Sequence, residues 1–135
     1  MRRKPVSKAR RKEIYEKYDG HCAYCGRLIL PQEMQIDHIV PLANGGTNDF
    51  SNLNPACPLC NIFKGSGTLK SFRRRLKSLT YTMRHKKPFG QLFAMALQFG
   101  LLREVKERYP IQFYFEIVQQ AKRKQRQKLE KEAAL

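Results

Sequence analysis

Two Cys-x-x-Cys pairs, Cys22/Cys25 and Cys57/Cys60, bracket a stretch that contains Asp37-His38, Asn52 and Asn61. Four thiolates in two such pairs make a tetrahedral, all-cysteine zinc site, and four protein ligands leave no open position, so that zinc is structural. Four unrelated thiols in a reduced protein is the weaker reading, because no stray cysteine accompanies the pairs. A thioredoxin-type motif is disfavoured too, since no βαβ pattern surrounds either pair. The residues inside the staple suit a different chemistry. Hydrolysis of a phosphodiester needs a base for water, a cation for the developing charge and a group that orients the base. His38 can be the base, because an imidazole titrates near neutrality. Asp37 and Asn61 offer oxygen ligands to a hard divalent cation, Mg²⁺ or Mn²⁺. Asn52 can fix the loop or the imidazole by side-chain hydrogen bonds, and Lys64, one turn beyond Asn61, can meet a phosphate.

Positioning these groups makes demands on the fold. On a strand, Asp37 and His38 point to opposite faces. For both to serve one site, the backbone must twist or the metal must sit at the strand's edge. The segment Met34 to Ile39 alternates apolar and polar residues as a short strand does, and Pro41 stops it. Asn44-Gly45-Gly46-Thr47-Asn48 is turn chemistry, and residues 52–56 form a short return strand. Pro58 suits the first turn of a helix that runs to about Lys64, where Gly65-Ser66-Gly67 breaks it.

The flanks are helical. Residues 1–20 read as a basic arm followed by a short helix, capped by Ser7 and running through Tyr18 with Ile14 and Tyr18 on one face. Residues 21–67 are the chemical core, and residues 68–135 are a basic, mainly helical extension. Thr68 can cap a helix with Leu69, Phe72, Leu76 and Leu79 on one face and Arg73, Arg74, Arg75 and Lys77 on the others. Residues 81–88 read as a linker. Phe89, Leu92, Phe93 and Ala96 are spaced as in a buried helix ending near Gly100. Ile111, Phe113, Phe115 and Ile117 alternate, which predicts a strand at 111–117. The tail beyond Gln120 reads as a solvated helix.

Composition bounds the partners. The chain has 135 residues and a formal net charge of +16 from 27 lysines and arginines against 11 acidic residues. That length allows one domain, or a small domain with an extension, with a real core. A 41% hydrophobic content argues against a wholly disordered basic tail. The longest uncharged run is too short and too polar to span a bilayer. The basic start is not followed by the apolar segment of a signal peptide, which predicts a cytoplasmic protein with reduced thiols. The charge predicts a polyanionic partner, with nucleic acid ahead of a membrane surface.

In order, the first Cys-x-x-Cys pair, Asp37-His38-Ile39-Val40-Pro41-Leu42, Gly45-Gly46, Asn52-Leu53, then Cys57-x-x-Cys60-Asn61 and Lys64-Gly65 resemble the HNH endonuclease family. The resemblance covers roughly residues 10–67. It implies an α+β fold with a small ββα-metal (His-Me finger) core, stapled here by the four-cysteine zinc site. It implies His38 as general base, Asn52 as the middle motif residue that orients loop and base, and Asp37 and Asn61 as ligands of the catalytic cation. Asn61 departs from the histidine often found at the third position, which favours Mg²⁺ or Mn²⁺ over ions that prefer imidazole. The implied reaction is metal-dependent hydrolysis of DNA, leaving 5′-phosphate and 3′-hydroxyl ends. Lys64, Arg73, Arg74 and Arg75 are the expected DNA contacts. The alternative is a catalytically inactive, zinc-stapled nucleic-acid-binding module. The C-terminal half has room to receive a second copy or a protein partner. His21 is not needed as a ligand, and Asn44, Asn48 and Asn54 read as turn residues.

Overall fold

A computed structural model describes residues 6–100 and 111–135. The basic arm at 1–5 lies outside these residues. Helix α1 (Lys8–Glu16) starts at Ser7, whose hydroxyl accepts from the backbone N–H of Arg10 at 3.2 Å. It buries Ile14, and Tyr18 follows into the core from the turn beyond the helix. Lys17 then ties this corner to the sheet. Its ammonium donates to the carbonyls of Phe50 at 2.9 Å and Leu53 at 2.7 Å.

Strands β1 (Gln35–His38) and β2 (Leu53–Ala56) form a two-stranded antiparallel sheet, with Asp37 opposite Asn54 and His38 opposite Leu53. A hairpin this small is marginal alone and needs covering. The first cysteine turn covers one edge: the N–H of Ala23 donates to the carbonyl of Pro55 at 2.8 Å. Helix α2 (Pro58–Lys64) follows β2 directly, with Pro58 in its first turn, and packs on β1. The loop joining the strands folds back on itself. The N–H of Gly46 donates to the carbonyl of Pro41, and a Cβ at Gly46 would lie 1.8 Å from the carbonyl oxygen of Val40, so only glycine fits there.

Three further helices complete the described chain: α3 (Leu69–His85), α4 (Phe89–Gln98) and α5 (Tyr114–Ala133). The Thr68 hydroxyl caps α3 by accepting from Ser71 at 3.1 Å. Helix α3 extends to His85, into the 81–88 stretch expected to be a linker, and only residues 86–88 separate it from α4. Helix α4 is not the buried helix its spacing suggested. Phe89, Leu92 and Met95 are exposed, whereas Phe93 and Ala96 are half-buried, and α4 packs on α3.

The strand expected at 111–117 is instead an extended lead-in followed by a helix. Phe113 is extended and caps α5, and its N–H donates to the Glu116 carboxylate at 2.9 Å. Phe113 and Phe115 both reach the core because one precedes the helix and the other lies in its first turn. A helix start thereby imitates the two-residue period of a strand, and Ile117, the last member of that pattern, is exposed.

Candidate active site and four-cysteine cluster

The Sγ atoms of Cys22, Cys25, Cys57 and Cys60 all lie within 4.8 Å of one another. A zinc–sulfur bond of about 2.3 Å sets tetrahedral sulfurs about 3.8 Å apart. The Cys25–Cys57 separation of 3.9 Å fits that edge. Backbone N–H groups also point at sulfur, from Cys57 to Cys22 at 3.3 Å and from Cys60 to Cys57 at 3.4 Å. The Cys22 thiol is pulled down to about 4, chiefly by the Cys60 thiol that hydrogen-bonds to it, while the same contact pushes Cys60 up. Four sulfurs gathered this closely can hold a zinc ion. His21 takes no part: its ring stacks on Tyr114, and Nδ1 meets the Tyr18 carbonyl at 3.0 Å.

Between the two cysteine pairs, β1 presents its adjacent residues to opposite sides. Asp37 is buried and His38 is half-exposed. Nε2 of His38 lies 2.9 Å from the amide oxygen of Asn48. With that oxygen accepting, Nε2 carries the proton and Nδ1 keeps its lone pair. Asn52 does not touch the imidazole. Its amide oxygen accepts from Val40 N–H at 2.9 Å, and its nitrogen donates to the carbonyls of Val40 at 3.0 Å and Thr47 at 2.8 Å. Asn52 therefore ties the loop that carries Asn48, and Asn48 meets the ring. Asn48 read as a turn residue because nothing in its spacing links it to His38. Asn54 also departs from its turn reading, being fully buried in β2.

A carboxylate buried as deeply as Asp37 needs partners. The Tyr24 hydroxyl donates to Oδ2, and the Lys64 ammonium lies 3.0 Å from both Oδ1 and Oδ2. Burial pushes the Asp37 carboxyl above its ordinary value, and the bonds from Tyr24 and Lys64 oppose that rise. Burial, and then the Asp37 charge, push the Tyr24 phenol up, so it remains a donor. Lys64 itself is fully buried and also donates to the His38 carbonyl at 2.7 Å. This departs from its expected role on phosphate, because its donors face inward. Asn61 lies three residues before Lys64, hence on the same side of α2, and is half-exposed.

The arginines of α3 divide. Arg73 donates to the Ile111 carbonyl at 2.9 Å, pairs with Glu116 and lies 4.6 Å over the Phe113 ring. Arg75 donates to the carbonyls of Phe63 at 2.8 Å and Lys64 at 3.0 Å, closing the end of α2. Arg74 is exposed. Lys70, Arg73, Arg74, Lys77 and Ile111 line a shallow cationic cavity of about 370 Å³.

Among the described residues, the cysteines form the one cluster of three or more thiol, imidazole or carboxylate ligands. A cation beside Asp37 must therefore complete its shell with amide oxygen and water, a donor set that suits a hard ion. Tyr24 donates to Oδ2 and Lys64 to Oδ1, so each carboxylate oxygen keeps one lone pair, and an ion held there would share its oxygen with a protein donor.

Residues 22–67 match the family described as HNH endonuclease. The chain is 40% identical over 57 residues to the CRISPR-associated endonuclease Cas9 of Corynebacterium diphtheriae, a match covering 42% of this chain and 5% of that protein. The crystal structure of the Type II-C Cas9 enzyme from Actinomyces naeslundii aligns with a TM-score of 0.47 at 29% identity, over 56% of this chain and 9% of that one. The chain thus spans a small fraction of the length of either relative.

Proposed function

We propose, from the premise that residues 22–67 form an HNH endonuclease domain, that this protein is a metal-dependent nuclease that hydrolyses phosphodiester bonds in DNA. The observation that carries the reading is the arrangement on β1. His38 leaves Nδ1 free opposite its bond to Asn48, while the neighbouring carboxylate of Asp37 is fixed beneath α2. Nδ1 of His38 accepts a proton from water as the water oxygen attacks phosphorus. The bond from phosphorus to the 3′ oxygen breaks with its electrons on that oxygen, which takes a proton from solvent water, leaving a 5′-phosphate and a 3′-hydroxyl. Asp37 and Asn61 would hold Mg²⁺ or Mn²⁺, which supplies charge stabilisation to the phosphoryl and departing oxygens. Asn48 holds the imidazole's tautomer, and Asn52 holds the loop that carries Asn48. The +16 charge favours a polyanionic substrate, and Arg74, which is exposed, would meet its backbone.

One observation favours a second reading, a binding module that does not cut. Lys64 already neutralises Asp37. Nicking of supercoiled plasmid by the zinc-loaded protein with Mg²⁺ or Mn²⁺, beside His38→Ala, separates the two. Nicking that needs the metal and vanishes in the variant, at equal DNA affinity, is the expected result. Binding without cutting by both proteins would overturn the nuclease in favour of the module.

A further inference from the structure

Tyr24 stands between two zinc ligands, inside the turn Cys22-Ala23-Tyr24-Cys25. Its ring is buried, and its hydroxyl ends on the carboxylate of Asp37. The ring is seated by residues outside the stretch that matches the family. Phe72 of α3 lies 5.5 Å away, and Phe113 and Phe115 lie at 5.2 Å and 5.9 Å, all three edge-on. Backbone bonds fasten the seat: the N–H groups of Tyr114 and Phe115 donate to the carbonyls of Tyr24 at 3.1 Å and Ala23 at 2.8 Å. One side chain therefore joins the zinc turn, the start of α5 and the carboxylate on β1.

We propose that Tyr24 is a positioning residue for the catalytic cation, acting through its hydrogen bond to Asp37 and held in place by the zinc turn and the Phe72–Phe113–Phe115 seat. The proposal rests on the nuclease reading above. Its physical content is orientation. A carboxylate that binds an ion through one oxygen must have the other oxygen held, or its plane rotates and the ion loses a fixed partner. Lys64 neutralises the carboxylate, lying 3.0 Å from both oxygens and donating its hydrogen bond to Oδ1, so Oδ2 depends on Tyr24 for its donor. Tyr24 bonds to Oδ2 while Lys64 donates to Oδ1, so the two donors together fix the carboxylate plane and leave each oxygen one lone pair to offer. Partners of this kind behind a metal ligand are worth roughly 10–100-fold in affinity or activity.

Tyr24→Phe removes the hydroxyl and keeps the ring. In the zinc-loaded full chain, Mn²⁺ binding is read from the electron paramagnetic resonance of free Mn²⁺. The variant should keep its zinc and circular dichroism and bind Mn²⁺ about tenfold more weakly or worse. Nicking should fall at limiting Mn²⁺ and recover at saturating Mn²⁺, with the KM for DNA unchanged, a pattern that simple destabilisation does not produce. A folded Tyr24→Phe with wild-type Mn²⁺ affinity overturns the proposal. Should that variant lose zinc, Phe113→Leu decides. It keeps the hydroxyl, loosens the seat and should weaken Mn²⁺ binding by a smaller factor, and unchanged affinity there is equally fatal. A wild-type protein that neither binds Mn²⁺ nor nicks overturns the nuclease reading itself, whereas an active wild type with unaffected variants removes only the role of Tyr24.

Discussion

At the scale of single residues, Lys64 best shows what spacing alone cannot convey. Three residues beyond Asn61, a lysine reads as a phosphate contact, yet its side chain is wholly enclosed. The reason is Asp37 on the facing strand, whose buried charge requires a cation. That pairing is a tertiary fact with no trace in local sequence. It yields a prediction. Lys64→Met should lower unfolding free energy by about 3–5 kcal/mol, because an uncompensated carboxylate remains in the core. Urea denaturation of the zinc-loaded protein checks this, and a variant of wild-type stability with only weaker DNA binding would return Lys64 to the phosphate role. Tyr24 did leave a signal. A tyrosine within a cysteine turn has a hydroxyl that must find a partner once buried. Asn48 left none, since its bond to His38 depends on how the loop closes.

Elements were more legible where chain punctuation is strong. Ser7, Pro58 and Thr68 mark helix starts, and Gly65 marks a stop, because caps and breakers act locally. The hairpin was readable from alternation and turn residues for the same reason. The start of α5 was not, because two phenylalanines one residue apart satisfy either period until a partner surface selects one. The elements of the core are also small. Strands of four residues and a seven-residue helix cannot hold their shape unaided. Zinc binding is therefore expected to supply much of the folding free energy of this region. A strong chelator should abolish the circular dichroism and amide protection of residues 22–67, and zinc alone should restore both. Hydrogen exchange is the sharper measurement, and full protection of the β1 and β2 amides in metal-free protein would contradict the expectation.

The molecule as a whole carries a formal net charge of +16. The ion pairs of α1 and α5 are exposed neighbours along one helix and contribute little. A net positive charge of this size displaces counterions when it meets a duplex, so log Kd for DNA should rise steeply and linearly with log salt. Fluorescence anisotropy at increasing salt measures the slope, and a flat titration would mean that the duplex does not use this charge. No described helix is long and apolar enough to cross a membrane. The overall class was legible because net charge and the cysteine framework are sums over the chain, indifferent to how any one loop closes. The docking of α5 has a consequence in time as well as space. The ribosome delivers Cys22 to Cys60 long before Phe113 and Phe115, and chains begin to fold from the end made first. The zinc turn can thus form while the aromatic seat of Tyr24 still lacks two of its three rings. Until the start of α5 emerges, a nascent chain carries the metal-binding framework of the site with an unfinished hold on its central carboxylate, so competence to cut should mature later than the ability to bind zinc.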